Sequence, residues 1–594
     1  PGSYTVTLAS DWYLERFVDG AFQPVEQAIL LTDPTQYTYV WDGSTSYVFY
    51  SFGVDGELID FRHGDLVIGI GIEQPGDGHG PGGFGGAPMG GAAGVGGFGG
   101  FGGFGGFGGA GGFGGAGGKA GAGGFAGAGG AGGKAGGGGA GGAGGGGPPA
   151  TCTGEVQKAM LEKLSAIPDF AKVSAGTTSV AGACAFVLEI NQPVDHQNPT
   201  GPQFRQRLRL LHRSTAAPTS FSTNGYALAG GSGIGNDELS FLLQGNRVHV
   251  EHRFFSLSSP APQTWQHLTI EQSAADHHHI IEVLRPLYAG KWLSTGASKG
   301  GMTASYHRRF YPNDVDATVP YVAPLSFDTA DPRYTDFLDD VGTQACRDRI
   351  VALQREALGP RRPQFVARMV QEGAQFNRTF NFFGPDRIFE FGVIEVRFVF
   401  WQYGDISDCA TLPLPTASDD AIYNFIDGVA NFAFSYDDAT LNFYAPYYYQ
   451  ASVQLGGPES TERHLEDLLQ FPGQNLVSAY PPAGVPKPFD PLAMPGVSTW
   501  LKTQGERFLF IYGQNDPWSA AAYELGAASD SYRFFVPAGN HGSGITDLDP
   551  ADQEIALNAL EAWTGVTPLR ITPPAEERAA WRRERREARP PMLP

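Results

Sequence analysis

Ser298 lies at the centre of a motif bounded by glycines, Gly296-Ala297-Ser298-Lys299-Gly300. The apolar run KWLST precedes the motif, and a helix-like run, GMTASYHRRFY, continues from it. A G-x-S-x-G motif between a strand and a helix is typical of a turn that presents a nucleophilic serine hydroxyl. Glycines are needed because side chains beside so tight a turn would collide with it. We therefore predict that Ser298 is a nucleophile; the alternative is a glycine-rich turn without chemistry.

A serine hydroxyl needs a base to take its proton, and two downstream residues fit that chemistry. Asp516 follows the apolar run RFLFIYG, and His541 follows RFFVPA, which gives the chain order serine, acid, histidine. Both lie in loops after predicted strands, where functional groups of an open α/β sheet gather. We predict that His541 is the general base and that Asp516 orients it. The alternatives are a helix N-cap for Asp516 and an ordinary loop residue for His541.

Acyl transfer also requires N–H donors for the developing oxyanion. The backbone amide of Lys299, at the predicted helix start, is one candidate. The second is Gly231, in the run GGSG after YALA, although a plain turn is the alternative there. We predict no cofactor.

No metal site is predicted either. The chain has no C-x-x-C pair, and zinc sites commonly use such pairs. The consecutive residues His277, His278 and His279 cannot converge on one ion, because successive helical side chains point about 100° apart. We expect all three on the surface.

The sequence around these residues has the rhythm of a parallel sheet covered by helices. Residues 150–330 alternate buried-strand patterns such as ACAFVLEI and NRVHVEHRF with helix patterns. Residues 331–500 lose that rhythm and are rich in amphipathic helix patterns and aromatics, and the strand pattern returns in residues 501–570. We predict one α/β domain, 150–330 plus 501–570, interrupted by a helical lid over the pocket.

The two ends of the chain differ from this body. Residues 1–75 alternate apolar and polar residues between turn signals, which predicts a small β-rich module of unknown role. Residues 76–147 hold 44 of the 85 glycines, so we predict a disordered linker over 76–149. Residues 571–594 form a charged C-terminal tail, for which we expect a solvated charged helix rather than a nucleic-acid patch.

Charge and hydropathy exclude several classes of partner. The formal net charge is −21, which argues against nucleic acid, because phosphate binding needs a basic surface. An acidic body favours cationic ligands such as a free amino terminus. No stretch approaches 18 consecutive strongly apolar residues, so we predict no membrane span. The chain begins at Pro1 without an apolar leader, and we expect a processed or trimmed chain.

The four cysteines, Cys152, Cys184, Cys346 and Cys409, allow three disulfide pairings. Pairing of near neighbours would give Cys152–Cys184 and Cys346–Cys409. Four buried free thiols are the alternative.

A wider set of motifs carries a family resemblance. They are FVLEINQPVDHQNP, FRQRLRLLHR, VHVEHRFFSLSSP with W-x-x-L at Trp265 and Leu268, STGASKGGMTASYHRRFYP, YVAPLSF, FWQY, YYYQASVQLG, YGQNDPWS and GNHGS. With them, residues 150–565 resemble the secreted actinobacterial tripeptidyl aminopeptidases of the proline-specific type, and more distantly the prolyl carboxypeptidase and dipeptidyl-peptidase II group. The resemblance implies an α/β-hydrolase fold with a helical cap insertion, which fits the predicted elements.

The same resemblance implies a serine exopeptidase that releases tri- or tetrapeptides from free amino termini and prefers cleavage after proline. It places nucleophile, acid and base on Ser298, Asp516 and His541. It also implies a secreted or cell-envelope-associated bacterial protein. The β-rich module and the linker fall outside it, and we expect them to tether the enzyme to a surface.

An acidic pocket is expected for the substrate's ammonium group, with Glu251 and Glu395 as candidates. Trp401 and Tyr403 are candidates for the wall of an apolar subsite, because proline rings pack well on aromatic faces. We expect a monomer. Two alternatives stay open: a carboxylic esterase or lipase of the same fold, and a non-catalytic binding protein tethered to a surface.

Overall fold

The structure of the protein, a computed structural model, describes residues 154–228 and 232–587 together with seven short strands between residues 2 and 58. These seven strands are β1 (Gly2–Thr7), β2 (Glu15–Val18), β3 (Ala21–Pro24), β4 (Ala28–Leu30), β5 (Thr35–Val40), β6 (Phe52–Val54) and β7 (Glu57–Leu58). They pair antiparallel as β1–β5, β2–β3 and β4–β6–β7. The β-rich character predicted for the amino-terminal module agrees with these strands, whereas the predicted linker lies outside the described residues.

A nine-stranded sheet forms the centre of the main body. Its strands are β8 (Phe170–Ala175), β9 (Cys184–Pro193), β10 (Gln203–His212), β11 (Thr219–Thr223), β12 (Asn246–Val250), β13 (Trp292–Ala297), β14 (Ala317–Tyr321), β15 (Leu509–Gly513) and β16 (Tyr532–Val536). They lie in the order 16-15-14-13-11-12-10-9-8.

Strands β11 to β16 run parallel to one another, while β8, β9 and β10 extend the sheet antiparallel. The central strands β11, β12, β14 and β15 are buried at every residue, as expected for parallel strands covered on both faces. This sheet, with a strand-to-helix turn carrying G-x-S-x-G after β13, is an α/β-hydrolase sheet. The predicted fold class is confirmed.

Fourteen α-helices are present among the described residues. They are α1 (Gly154–Ser165), α2 (Glu238–Leu242), α3 (Ile270–Leu284), α4 (Lys299–Phe310), α5 (Arg333–Asp340), α6 (Gln344–Leu358), α7 (Arg362–Gln375), α8 (Pro385–Tyr403), α9 (Asp419–Ala430), α10 (Phe432–Ser435), α11 (Asp438–Gln450), α12 (Ala493–Gln504), α13 (Pro550–Thr564) and α14 (Ala575–Glu587). In the part of the chain that the structure describes, no helix is long and apolar enough to cross a membrane.

Helices α5 to α12 lie between β14 and β15, and we refer to this segment as the cap. Its central helix is α8, which begins with Pro385 in the first turn, where a missing N–H costs nothing, and ends before Gly404. Fifteen of its 19 residues are buried, as expected for a helix that neighbours surround on all sides. The helical character predicted for 331–500 agrees with these elements, while its exact boundaries stay a prediction.

The disulfide Cys346–Cys409 links α6 to the segment after α8, with a Cα–Cα distance of 5.4 Å. Cys184 is also disulfide-bonded, and its predicted partner Cys152 lies outside the described residues. One predicted pairing is therefore confirmed, and the alternative of four free thiols is wrong.

Two surface predictions are wrong. His277 is buried, because it lies on the inner face of α3 and its ring packs against those of Phe221 and His307. Helix α14 is not a solvated tail, because Trp581 on its inner face is only 5% exposed. Among the described residues, no cluster of three or more histidine, cysteine or acidic side chains is placed to hold a metal ion.

Candidate active site

Ser298 occupies a sharp turn between β13 and α4. Its φ angle of 55° lies in the left-handed region, which a residue with a side chain rarely adopts. The backbone N–H of Ser298 donates a hydrogen bond to the carbonyl of Tyr321, the last residue of β14, at 2.9 Å. The neighbouring strand therefore holds the strained residue in place, as expected where strain belongs to a functional turn.

The flanking glycines are required by close backbone approach. A Cβ atom at Gly300 would lie 2.5 Å from the carbonyl oxygen of Thr223, and one at Gly296 would lie 2.7 Å from the same oxygen. A Cβ atom at Gly301 would lie 2.7 Å from the Cβ of Ala323. These distances are shorter than van der Waals contact, so no residue with a side chain fits without displacing β11 or the segment after β14.

Asp516 and His541 form a buried hydrogen-bonded pair. Nδ1 of His541 lies 2.7 Å from Oδ2 of Asp516, and both side chains are almost completely excluded from solvent. The other oxygen, Oδ1, accepts a hydrogen bond from the backbone N–H of Trp518 at 3.2 Å. Asp516 thus caps the turn after β15 as well as orienting the histidine, so the two interpretations of this residue are compatible.

Burial raises the pKa of the Asp516 carboxyl, and the charge and hydrogen bond of His541 act against that shift. The pair leaves the second imidazole nitrogen, Nε2, turned away from the carboxylate. Among the described residues, Nε2 of His541 is buried and has no hydrogen-bond partner. A buried, unpartnered nitrogen of this kind is available to accept a proton from a serine hydroxyl.

The sheet topology brings the three residues to one edge. Ser298 follows β13, Asp516 follows β15 and His541 follows β16, and all three strands run parallel. One strand, β14, separates β13 from β15, which places their ends about 10 Å apart at the usual inter-strand spacing. His541, on the loop after β16, reaches back to Asp516 on the loop after β15 through their 2.7 Å contact.

Helix α8 of the cap contacts the histidine loop directly. The backbone N–H of His541 donates to the carbonyl of Gln402 at 2.9 Å. The side-chain amide of Asn540 donates to the carbonyls of Tyr403 and Gly404. The position of His541 is therefore coupled to the position of the cap.

Lys299 contributes more than its backbone amide. Its side chain is buried, and Nζ donates to the carbonyl of Gly225 at 2.9 Å, below the rings of Tyr226 and Phe255. Burial lowers the pKa of this ammonium group well below its usual range. Lys299 thus ties the nucleophile turn to the loop after β11. The other predicted oxyanion donor, Gly231, lies outside the described residues.

Glu251 occupies a different role from the one expected. Its carboxylate accepts hydrogen bonds from Arg207 at 2.5 Å, from the backbone N–H of Leu228 at 2.8 Å and from the hydroxyl of Ser258 at 2.8 Å. Because these donors occupy both oxygens, the structure does not support Glu251 as the ammonium site. Its contacts instead fix the loop that leads to Gly231.

Glu395 differs from Glu251 because, within the part of the chain that the structure describes, only one of its carboxylate oxygens has a hydrogen-bond partner. It is 0% exposed on α8, where Oε1 accepts a hydrogen bond from the side chain of Asn475 at 2.7 Å. The second oxygen, Oε2, is buried without a hydrogen-bond partner among the described residues. Burial raises the pKa of this carboxyl well above its usual range. A buried carboxylate oxygen without a partner requires an explanation, and a bound cation is one.

The two aromatic candidates on α8 are separated. The ring of Tyr403 lies edge-on to the ring of His541, with 6.0 Å between centroids. Trp401 packs in the core of the cap against Gly342 and Phe400, and these contacts do not bring it to the catalytic pair. We therefore retain Tyr403 and not Trp401 as a candidate for the wall of a subsite.

Sequence reasoning did not single out two further aromatic residues, Trp518 and Tyr226. The ring of Trp518 lies 6.3 Å from that of His541, and its indole N–H is buried without an acceptor among the described residues. Tyr226 packs edge-on against Tyr447 at 5.6 Å. Trp518 stands in the motif YGQNDPWS, so its position two residues after Asp516 was a usable signal, and Tyr447 begins the motif YYYQASVQLG, whereas Tyr226 carried no signal.

Comparison with known proteins identifies the family. The family model of PS-10 peptidase S37 matches residues 157–586. The chain belongs to the S37 peptidase family. The prolyl tri/tetrapeptidyl aminopeptidase of Streptomyces mobaraensis is 43% identical over 399 residues, which cover 66% of this chain and 82% of that protein. The S37 chain is accordingly a serine peptidase with an α/β-hydrolase fold.

Solved structures resemble this S37 peptidase only remotely. A proline iminopeptidase from Mycobacterium smegmatis is 12% identical with a TM-score of 0.28, covering 63% of this chain and 96% of its own. A peroxisomal α/β-hydrolase from Saccharomyces cerevisiae is 11% identical with a TM-score of 0.28, covering 70% and 95%. These scores are too low to support an argument, and the fold assignment rests on the strand order.

Proposed function

We propose that this S37 peptidase is an exopeptidase that releases tri- or tetrapeptides from free amino termini and prefers cleavage after proline. The proposed serine-peptidase chemistry is supported by the buried Asp516–His541 pair, which lies at the same edge of the sheet as the strained Ser298. The specificity part is supported by the name of the Streptomyces relative and by the cap residues described above.

In this mechanism Nε2 of His541 takes the proton of the Ser298 hydroxyl as its oxygen attacks the carbonyl carbon of the scissile bond. The backbone amides of Lys299 and Gly231 donate hydrogen bonds to the oxyanion that forms. His541 then gives the proton to the leaving amine, and the C–N bond breaks to leave an acyl-enzyme. Water then attacks the acyl-enzyme as His541 takes its proton, and the ester bond to Ser298 breaks, which restores the serine hydroxyl. Asp516 stabilises the transient imidazolium of His541 in both steps.

Glu395 is the proposed partner of the substrate's ammonium group. Its orphaned Oε2 atom is a buried acceptor, and an arriving ammonium group would favour the ionised carboxylate. Gln402 is the residue of α8 that binds the His541 loop. Glu395 lies seven residues before it on the same helix, which corresponds to about 10 Å along the helix axis. Three residues of extended peptide also span about 10 Å, which fits release of a tripeptide.

Aromatic side chains near the catalytic histidine are the proposed proline subsite. Tyr403 and Trp518 both face the ring of His541. A proline ring presents a rigid apolar surface that packs well on such faces. The unpartnered indole N–H of Trp518 is the proposed donor to a substrate carbonyl.

Substrates with and without an amino terminus distinguish the candidate functions. We expect Ala-Ala-Pro-nitroanilide to be cleaved with a kcat/KM at least about 100-fold above that of its N-acetylated form, because acetylation removes one partner of a buried charge pair. Steady-state hydrolysis of both substrates and of short p-nitrophenyl esters measures this. Hydrolysis of the esters alone would identify an esterase. If a serine-directed organophosphonate also failed to label the protein, a non-catalytic role would follow.

Replacing Glu395 with glutamine is expected to lower kcat/KM for the free tripeptide substrate about 100-fold and to leave ester hydrolysis unchanged. Because burial raises the pKa of Glu395 in the folded protein, its ionisation costs stability as pH rises through that raised value. Relative to wild type, the variant's Tm should therefore increase from acidic to neutral pH. Kinetics on both substrate types and thermal unfolding at several pH values measure the two effects.

Glu390 provides a matched control on the same helix. It is equally buried, but its carboxylate binds Arg362 at 2.7 Å and the backbone N–H groups of Gln470 and Phe471. Glu390→Gln should lower Tm because it weakens a buried ion pair, without selective loss of the free-amine substrate. Equal loss on both substrate types in Glu395→Gln would contradict an ammonium site.

We propose export of the protein to an oxidising compartment, with attachment to a surface through the amino-terminal module. The Cys346–Cys409 disulfide supports the first part, because disulfides persist mainly in oxidising environments. Detection of the enzyme in the culture fluid or cell envelope, and not in the cytosol, measures this.

A further inference from the structure

The carboxy-terminal helix α14 packs on two loops of the catalytic domain. One is the end of the β11–α2 loop, residues 232–237, which follows Gly231 in the chain, and the other is the loop after His541. Nothing in the mechanism above uses this helix. Its contacts nevertheless reach both loops through three side chains, those of Trp581, Arg582 and Glu584.

The first anchor is Trp581. Its indole N–H donates to the carbonyl of Asn236 at 3.0 Å, and its ring lies edge-on to Phe241 at 5.4 Å between centroids. Asn236 belongs to the β11–α2 loop, and Phe241 belongs to the helix that follows it. The indole thus fixes the end of the loop that supplies the proposed second oxyanion donor.

The second anchor is Glu584. Both of its oxygens bind the guanidinium of Arg247, which is buried on β12. Arg247 in turn donates to the carbonyl of Gly235 at 3.2 Å and to the hydroxyl of Ser222 at 3.1 Å. Asp237 is a second acidic partner of Arg247, at 3.4 Å. The glutamate therefore orients an arginine that holds the same loop from below.

The third anchor is Arg582, on the side of the catalytic histidine. Its guanidinium donates to Asp547 at 3.0 Å, and Asp547 accepts a hydrogen bond from the backbone N–H of Gly544 at 3.1 Å. A Cβ atom at Gly542, the residue after His541, would lie 3.5 Å from Cγ of Arg582. The arginine stem therefore lies beside the turn that carries the histidine.

A cavity of about 70 Å³ is lined both by the helix and by the nucleophile turn. Gly296 and Ala297 line one side of it, and Trp581 and Glu584 line the other. Direct side-chain packing between α14 and the turn is therefore incomplete. The helix acts on the site through the two loops and through Arg247.

We propose that α14 is a clamp and that Trp581 and Glu584 are positioning residues for the reaction, because they hold residues 235–237, which follow the proposed oxyanion donor in the chain. This inference rests on the proposed function for its oxyanion donor. A purely structural helix would change the free energy of unfolding alone. A clamp also changes the rate of the acyl-transfer step at temperatures where the protein is fully folded.

Conservative variants separate the two roles. Trp581→Phe removes the indole donor and keeps an aromatic ring, and Glu584→Gln removes the charge that orients Arg247. Each is expected to lower kcat at least about tenfold with little change in KM, because a displacement near 1 Å at a reacting centre costs as much as 100-fold. Glu576→Gln, at an exposed glutamate of the same helix, is the matched control and should retain full kcat.

The measurements are kcat, KM, Tm and the rate of phosphonylation of Ser298 by a serine-directed organophosphonate. Phosphonylation also passes through an oxyanion, so it reports on the loop even if the peptide specificity proposed above is wrong. We expect both variants to react at least about tenfold more slowly than wild type. Unchanged phosphonylation and kcat, with only a lower Tm, would overturn the clamp.

Truncation supplies a second test with rescue. A chain ending at Pro574 should lose activity, and a synthetic peptide of residues 571–594 should restore it when added in trans. The same peptide carrying Glu584→Gln should restore less. Full activity of a folded truncated chain, or equal rescue by both peptides, would contradict the proposal.

Discussion

Replacing Ser298 with alanine is expected to lower kcat for peptide hydrolysis by about a million-fold, the loss seen when a serine peptidase loses its nucleophile. The hydroxyl is the group that bonds to the substrate, and without it the acyl-enzyme cannot form. The variant should fold normally. Among the described residues the Ser298 hydroxyl makes no hydrogen bond that the substitution would remove, and alanine keeps the Cβ atom of serine, so the backbone strain at φ 55° stays about the same.

Progress curves with Ala-Ala-Pro-nitroanilide and labelling by an organophosphonate measure the loss. Thermal unfolding shows that the fold is kept. Ser305→Ala is the control, because Ser305 is a buried serine on the adjoining helix that donates to the carbonyl of Gly301. It should retain kcat within a few-fold. Turnover by Ser298→Ala above about a thousandth of the wild-type rate would require another nucleophile.

The positions of Ser298, Asp516 and His541 after three parallel strands could be predicted from sequence because each has a local signature. The glycines around Ser298 reflect the backbone contacts that the turn makes with Thr223, and a strand before and a helix after the motif completed the pattern. Asp516 and His541 each follow a short apolar run that forms a buried or half-buried strand. The chain order of the three residues was then enough to predict that they lie close together, because the carboxyl ends of parallel strands meet at one edge of the sheet.

The roles of Glu251 and α14 could not be predicted in the same way, since they depend on contacts between distant parts of the chain. Glutamate is usually exposed to solvent, yet the buried carboxylate of Glu251 accepts hydrogen bonds from Arg207 and from the backbone N–H of Leu228. Glu584 binds Arg247 across 337 positions of sequence. The one available signal was Trp581, because a tryptophan in a run of charged residues is costly to leave in solvent.

Replacing Asp516 with asparagine is expected to lower kcat about 10⁴-fold, a smaller loss than for Ser298 but with a different cause. In the native pair Oδ2 accepts a hydrogen bond from the Nδ1–H group of His541, while Oδ1 accepts a hydrogen bond from the backbone N–H of Trp518. Asparagine has one oxygen for these two donors. If the oxygen stays with Trp518, the amide faces Nδ1 and favours the tautomer with its proton on Nε2, which cannot then accept the proton of Ser298.

Stability should respond differently from activity. Burial raises the pKa of Asp516, so the folded protein holds a charge that is costly to bury, and the neutral amide should keep Tm at or above the wild-type value. KM should change little, because Asp516 is beneath the histidine and does not contact the substrate in the proposed mechanism. Steady-state kinetics, calorimetry and the nitrogen NMR spectrum of His541 measure activity, stability and tautomer.

Asp314 provides the matched control because it also binds histidine rings. Its carboxylate accepts from His307 at 2.9 Å and from His278 at 3.0 Å, on the packed helices α3 and α4. These contacts lower the pKa of Asp314 to about 2, against the effect of its burial, so Asp314→Asn should lower Tm at neutral pH and leave kcat within a few-fold. A comparable loss of kcat in both variants would show that His541 does not depend specifically on Asp516. A 10⁴-fold loss confined to Asp516→Asn, with Nε2 protonated at neutral pH, is the expected result.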